Sequence, residues 1–207
     1  MGMKIVISSH IKYKSALKEL LSSIIESNFT QYLDIIIVYN EYGTMPPTLK
    51  PINQLVDIDS DHTVVVVGIE HNSYEYGAFN ALNLYRHHHF IDSDAYFCMH
   101  DTCEVTADWY TKLCLFNVKP MDIYGYSGPN ANIILFGYGV VDRYGDTFNQ
   151  SFTKDEAIRM ELLDLKFGNK YFLTFSLWET FHSLGVRYDD RVEGNEKTTR
   201  YENRNPR

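Results

Sequence analysis

Residues 95–109 read AYFCMHDTCEVTADW. An apolar run stops abruptly on His100-Asp101-Thr102, and a helix start, Thr106-Ala107-Asp108-Trp109, follows within a few residues. A strand that delivers a carboxylate to its C-terminal end is how open α/β sheets build ligand sites. Asp101 therefore has two readings. It anchors a divalent ion and the diphosphate oxygens that such an ion prefers, or it forms an ordinary Asx turn.

The flanking segments decide the fold class. Upstream, Lys4 to Ser8 (KIVIS) reads as a buried strand, and Leu17, Leu20, Leu21, Ile24 and Ile25 then recur at helical spacing. Asp34 to Asn40 (DIIIVYN) is a second strand, and Gly43, Pro46, Pro47 and Pro51 mark a loop. Thr63 to Ile69 (TVVVVGI) is a third strand, a β-branched run suited to cover on both faces. Gly77 to His89 reads as a helix and Tyr96 to His100 as the fourth strand. This alternation predicts an α/β fold with a mostly parallel central sheet flanked by helices.

The second half reads differently. Asp122 to Tyr126 and Ile133 to Val141 are expected as strands. Thr153 with Glu156, and Ser176 with Glu179, have capping-box spacing, and Gly168 and Gly185 stand where those helices would end. Residues 1–190 are read as one domain and 191–207 as a polar tail or linker.

The chain has 207 residues, 27 of them acidic and 19 basic, for a net charge of −8. That balance argues against sequence-independent nucleic-acid binding, which needs a basic face. No run reaches the roughly 18 apolar residues of a membrane span, and the N-terminus lacks the parts of a signal peptide. Val6 stands where myristoylation needs Ser or Thr. Cys98, Cys103 and Cys114 have no metal or disulfide spacing, so they read as free thiols of a cytoplasmic protein.

Other motifs are absent or misplaced. No P-loop, GxGxxG or GxSxG pattern occurs. Asp57-Ile58-Asp59 and Asp92-Ser93-Asp94 precede strands and so fall on the edge opposite the ligand crevice. Asp61 is followed by His62 where a calcium loop needs glycine. His87, His88 and His89 are consecutive, so they cannot share one helical face around one ion.

Several segments in order resemble a GT-A glycosyltransferase of the family 2, rhamnosyltransferase-like type. The Ser/Thr-rich turn after the first strand is matched by Ser8-Ser9-His10, and the second-strand "VDN" by Val38-Tyr39-Asn40. Glu75-Tyr76-Gly77 with Asn83 resembles the helix that opens with N-x-G. Met99-His100-Asp101-Thr102-Cys103-Glu104-Val105, with Asp108-Trp109, resembles "LNDDTEV", and Trp178-Glu179-Thr180 the later "ED" element. The small size and the HDTCEV variant are similar to glycosyltransferases encoded by large algal viruses, for which the cytoplasm would be that of a host. Three departures stand out. Thr102 replaces a second acid, Tyr39 replaces an Asp, and Thr180 follows Glu179 where the family has Asp.

The resemblance implies a nucleoside-diphosphate sugar donor, UDP-linked, a glycan or glycoprotein acceptor, and inversion at the anomeric carbon assisted by Mn2+ or Mg2+. It assigns the nucleotide to Ser8, Ser9, His10, Asn40, Gly77, Asn83, His100, Asp101 and Thr102, and the metal to Asp101. Glu179 is the expected base, with Asp142, Asp189 and Asp190 in reserve, although Glu179 also fits a helix cap. Tyr126, Asn132 and Trp178 have the aromatic and amide composition of a sugar pocket. A nucleotidyltransferase and a catalytically silent carbohydrate- or nucleotide-binding module remain alternatives.

Overall fold

The KIVIS segment and its two neighbours form the middle of a sheet because each carries a run of residues buried on both faces. The computed structural model describes residues 2–105, 107, 109–126, 133–144, 151, 153, 156, 169–173 and 186–188. Strands β1 (Met3–His10), β2 (Ile35–Asn40), β4 (Thr63–Gly68) and β5 (Ala95–His100) run parallel, in the order β4-β2-β1-β5. Helix α1 (Lys14–Glu26) links β1 to β2, and α2 (Gly77–Leu84) links β4 to β5.

The chain thus moves outward from β1 on one side, then crosses back and places β5 on the other. That reversal is the switch point at which open α/β sheets bind ligands. The sheet continues antiparallel through β8 (Ile133–Gly137) to β7 (Asp122–Tyr126), which β9 (Asn169–Leu173) joins in parallel. Strand β3 (Met45–Pro51) closes the far edge, giving eight strands. A small second sheet pairs β6 (Cys103–Val105) with β10 (Val186–Tyr188).

Strand alternation sorts the core into two layers. Ile5, Ile7, Ile35, Ile37, Phe97 and Met99 face α1 and α3 (Trp109–Leu113). Val6, Ile36, Val38, Tyr96 and Cys98 face α2 and α4 (Tyr138–Tyr144). The helical stripe of α1 is as expected, with Leu17, Leu20, Leu21 and Ile24 buried and Ile25 partly so.

Four expectations are corrected. The proline-rich segment is a strand, β3, antiparallel to β4 on the sheet edge. A register irregularity between Met45 and Thr48 absorbs Pro46 and Pro47, and an edge is where missing amide donors are tolerated. Helix α2 ends at Leu84, because Ile91 is fully buried and the chain must turn inward to reach it. The His88 carbonyl accepts the Ile91 and Asp92 amides there, at 2.7 and 2.9 Å. Strand β8 ends at Gly137, where the backbone of Lys119 and Pro120 presses too close for any side chain, and Val140 and Val141 belong to α4. Lastly, β1 runs on to His10, so Ser8, Ser9 and His10 are strand residues, not a turn.

The first capping box forms: the Thr153 amide and hydroxyl donate to Glu156 Oε2, and the Glu156 amide donates to Thr153 Oγ1. The second, at Ser176 and Glu179, lies outside the described residues, as do Gly168, Gly185 and residues 191–207. Among the described residues no helix is long and apolar enough to cross a membrane.

Candidate functional site

The C-terminal ends of β2, β1 and β5 lie side by side. Ser9 is level with Tyr39, His10 with Asn40, and Ser8 with His100. Alternation then divides these residues between the faces. Ser9, Tyr39 and Asp101 lie on the α1 side, and Ser8, Asn40 and His100 on the α2 side.

On the α1 side, Asp101 is only 5% exposed. Its Oδ2 accepts the Ser9 hydroxyl at 2.8 Å, and its own amide donates to the Ser8 carbonyl at 3.2 Å. The His10 amide also donates to this carboxylate. Burial raises the Asp101 pKa above the ordinary value, and the Ser9 hydroxyl, His100 and His10 pull against that rise. Tyr39 is half-buried beside it. Desolvation, then Tyr42 and Asp101, push its phenol up to about 12, so it remains a neutral donor. A cavity of about 480 Å3 opens from Asp101 and Thr102 along the polar side of α1, past Ser15, Lys18 and Ser22.

On the α2 side, Asn40 is buried. Its Nδ2 donates to Ser8 Oγ at 3.2 Å and to the Ser9 carbonyl at 3.1 Å. Ser8 Oγ in turn donates to the Tyr74 carbonyl at 2.9 Å. Asn40 Oδ1 presses against Gly77, so no side chain fits at the start of α2. Two non-glycine residues flank this edge in the left-handed region, Glu41 (φ 56°) and Tyr74 (φ 51°). Such backbone persists only where surrounding structure holds it, and it gathers at functional sites.

The structure thus brings together Ser8, Ser9, His10, Asn40, Gly77, His100, Asp101 and Thr102. Asn83 sits elsewhere, in the last turn of α2, where its Oδ1 accepts Arg86 Nη1 at 2.8 Å. The buried amide of that helix is Asn80, missed in the sequence. It lies on the same helix face as Gly77, three residues on, and its Nδ2 has no hydrogen-bond partner among the described residues. Asp142 on α4 faces Arg86 at 3.8 Å, which ties it to α2. Tyr126 ends β7, and nothing is described of its side chain. Asn132, Trp178, Glu179, Asp189 and Asp190 lie outside the described residues.

The other acidic patterns sit in turns. Asp61 Oδ1 accepts the Asn53 amide group at 3.1 Å, and Asp94 Oδ2 accepts the Gly2 amide at 2.9 Å. Among the described residues no three His, Cys, Asp or Glu side chains converge as a metal cluster. What the edge offers a cation is one carboxylate, Asp101, beside Thr102, whose buried Oγ1 has no partner among the described residues. Hard oxygens of this kind suit Mg2+ or Mn2+, ions that commonly take one or two carboxylates and complete their shell with substrate phosphates.

No family model matches the chain, and no curated protein sequence matches it. Solved structures do. The glycosyltransferase GlyE of Streptococcus pneumoniae TIGR4 matches 85% of this chain with a TM-score of 0.54 at 12% identity. The bifunctional glycosyltransferase WbbM, in its apo form, matches 95% with a TM-score of 0.52 at 14% identity. The fold is accordingly that of the GT-A glycosyltransferases. In both cases the match spans 46% of the other chain, so this chain covers about half the length of the structures it resembles.

Proposed function

We propose that this chain transfers a sugar from a nucleoside-diphosphate sugar to a hydroxyl of a glycan or glycoprotein. The observation that carries the reading is the Ser9–Asp101 pair, a buried carboxylate held at the sheet's switch point. A solvent-excluded carboxylate is costly, and one placed at the switch point of an α/β sheet is a candidate ligand anchor.

The chemistry is a single displacement with inversion. A bond forms between the acceptor oxygen and the anomeric carbon, and the bond from that carbon to the diphosphate breaks. Ser9 and the His10 amide orient Asp101, and Asp101 with Thr102 would hold the cation. A divalent ion bound there neutralises charge on the departing diphosphate. Asn40, with Ser8 beneath it and Gly77 against it, shapes the opposite wall. Glu179 is the proposed base that takes the acceptor proton, and Tyr126, Asn132 and Trp178 the proposed acceptor pocket.

Because Asp101 supplies one carboxylate, the cation and the diphosphate should bind as a unit. Thermal unfolding with UDP, GDP, CMP and dTDP, each with and without Mn2+, tests this. At a hundredfold excess over Kd a ligand adds about 2.7 kcal/mol, or roughly 5–10 °C in a protein of this size. Mn2+ alone should shift the melting temperature little, and Asp101→Asn should abolish the metal-dependent part. If no nucleotide at millimolar concentration moves the transition, the reading is wrong. Binding without sugar transfer would favour the silent module.

A further inference from the structure

Beyond the diphosphate anchor, the same edge carries a hydrogen bond between two side chains that the mechanism leaves unused. His10 Nε2 lies 2.9 Å from Glu41 Oε2. The tautomer follows from the other ring nitrogen. His10 Nδ1 accepts the Lys12 amide at 3.0 Å, so the proton sits on Nε2 and is donated to Glu41. The Glu41 carboxylate is thereby held from one side. Its backbone is held too, since the Glu41 and Tyr42 amides donate to the carbonyls of His71 and Ile69.

The surroundings of the pair are apolar yet exposed. Ile11 is 56% exposed, Tyr13 38% and Tyr42 44%. Tyr13 stands edge-on to His10 with centroids 5.8 Å apart, and Tyr42 lies 5.7 Å from Tyr39. Exposed rings around a fixed polar group are what a flat heteroaromatic ligand requires. The position fits as well. Glu41 directly follows Asn40, which is level with His10 at the end of β1, so it stands at the same edge as the diphosphate anchor, just beyond the last paired residues. A ribose spans the step from diphosphate to base.

We propose that Glu41, oriented by His10, reads the donor's base and selects guanine. This rests on the nucleotide-sugar reading of the site, and it replaces the uracil that the family resemblance implies. An ionised carboxylate only accepts hydrogen bonds. Guanine presents two adjacent donors, N1–H and the 2-amino group, which match the two carboxylate oxygens as a bidentate pair. Oε2 can accept both His10 and guanine, because each oxygen has two lone pairs. Uracil presents one donor between two carbonyls that the carboxylate repels. Adenine and cytosine set their amino group beside an acceptor nitrogen.

Calorimetric titration of the full chain with GDP, IDP, UDP and ADP in Mn2+ tests the assignment. A good bidentate pair discriminates by about 10- to 100-fold. GDP should therefore bind that much more tightly than UDP or ADP. IDP, which lacks only the 2-amino group, should lose about tenfold of GDP's affinity with no variant required. Glu41→Gln should reverse part of the preference. Its amide donates where the carboxylate accepted, so it should bind xanthosine diphosphate more tightly than GDP, a gain that misfolding cannot mimic. UDP binding as tightly as GDP, or IDP equal to GDP, overturns the base assignment and leaves the donor site standing. Failure of every nucleotide to bind overturns both.

Discussion

Asp101, the proposed cation anchor, carries a cost in stability that can be measured. Its folded-state pKa is raised by burial, against an ordinary value of 3.8. Below that value the group is protonated in both folded and unfolded chains, and it costs nothing. As pH rises through the higher folded value, ionisation in the interior takes stability away. Asp101→Asn removes this dependence. The variant's melting temperature minus that of the native chain should therefore grow as pH rises above about 4. A difference that stays flat with pH would refute the account. At this scale the sequence was partly legible. Asp101 stands out because a carboxylate ends an apolar run, a pattern that fits a ligand anchor and an Asx turn alike. Asn80 does not show, because an amide inside a helix reads the same on either face until the helix start is known. Glu41 was invisible for another reason: its left-handed backbone is held by amide bonds to distant residues, Glu41 to His71 and Tyr42 to Ile69.

The elements around Asp101 are joined through Ser23 of α1 and Ser27, its C-terminal capping residue. Ser23 Oγ donates to the Leu20 carbonyl at 2.8 Å and accepts the Val105 amide of β6 at 3.1 Å. Ser27 Oγ accepts Trp109 Nε1 at 3.1 Å, which pins α3 to the same helix. Ser23→Ala leaves the Val105 amide buried without an acceptor, a cost of about 1–3 kcal/mol. Hydrogen exchange should accelerate at Val105 and its β6 neighbours, while α2 amides keep their protection. Equal acceleration in both would show a global effect instead. The regular elements α1, β2 and β4 were readable because their burial pattern is complete within each segment. Strands β3 and β6 were not. Prolines hid the first, and the second is three residues long and gains its partner, β10, some 80 positions later.

Across the whole molecule, the sheet's exposure to other chains is controlled at β3. Pro46 and Pro51 remove backbone donors from that edge, and proline on an edge strand discourages pairing with another molecule. Replacing both with valine should leave the melting temperature nearly unchanged and yield concentration-dependent association by light scattering. A variant that stays monomeric would show that β3 is protected by its irregular register alone. The parallel half of the sheet was legible from alternating segment types. The antiparallel extension through β8 and β7 was not, because strand order in space leaves no local trace.

The central position of β1 also sets a timetable. The Ser9–Asp101 bond joins residues 92 positions apart, and β1 waits for β5 before its second side is covered. At a synthesis rate of about 5–20 residues per second, that interval lasts roughly 5–20 s. Throughout it β1 has the edge that β5 will cover still open. A nascent chain of this protein therefore keeps one edge of Ile5 to Ser9 unpaired over that interval, and it gains the Ser9–Asp101 bond only once β5 has left the exit tunnel.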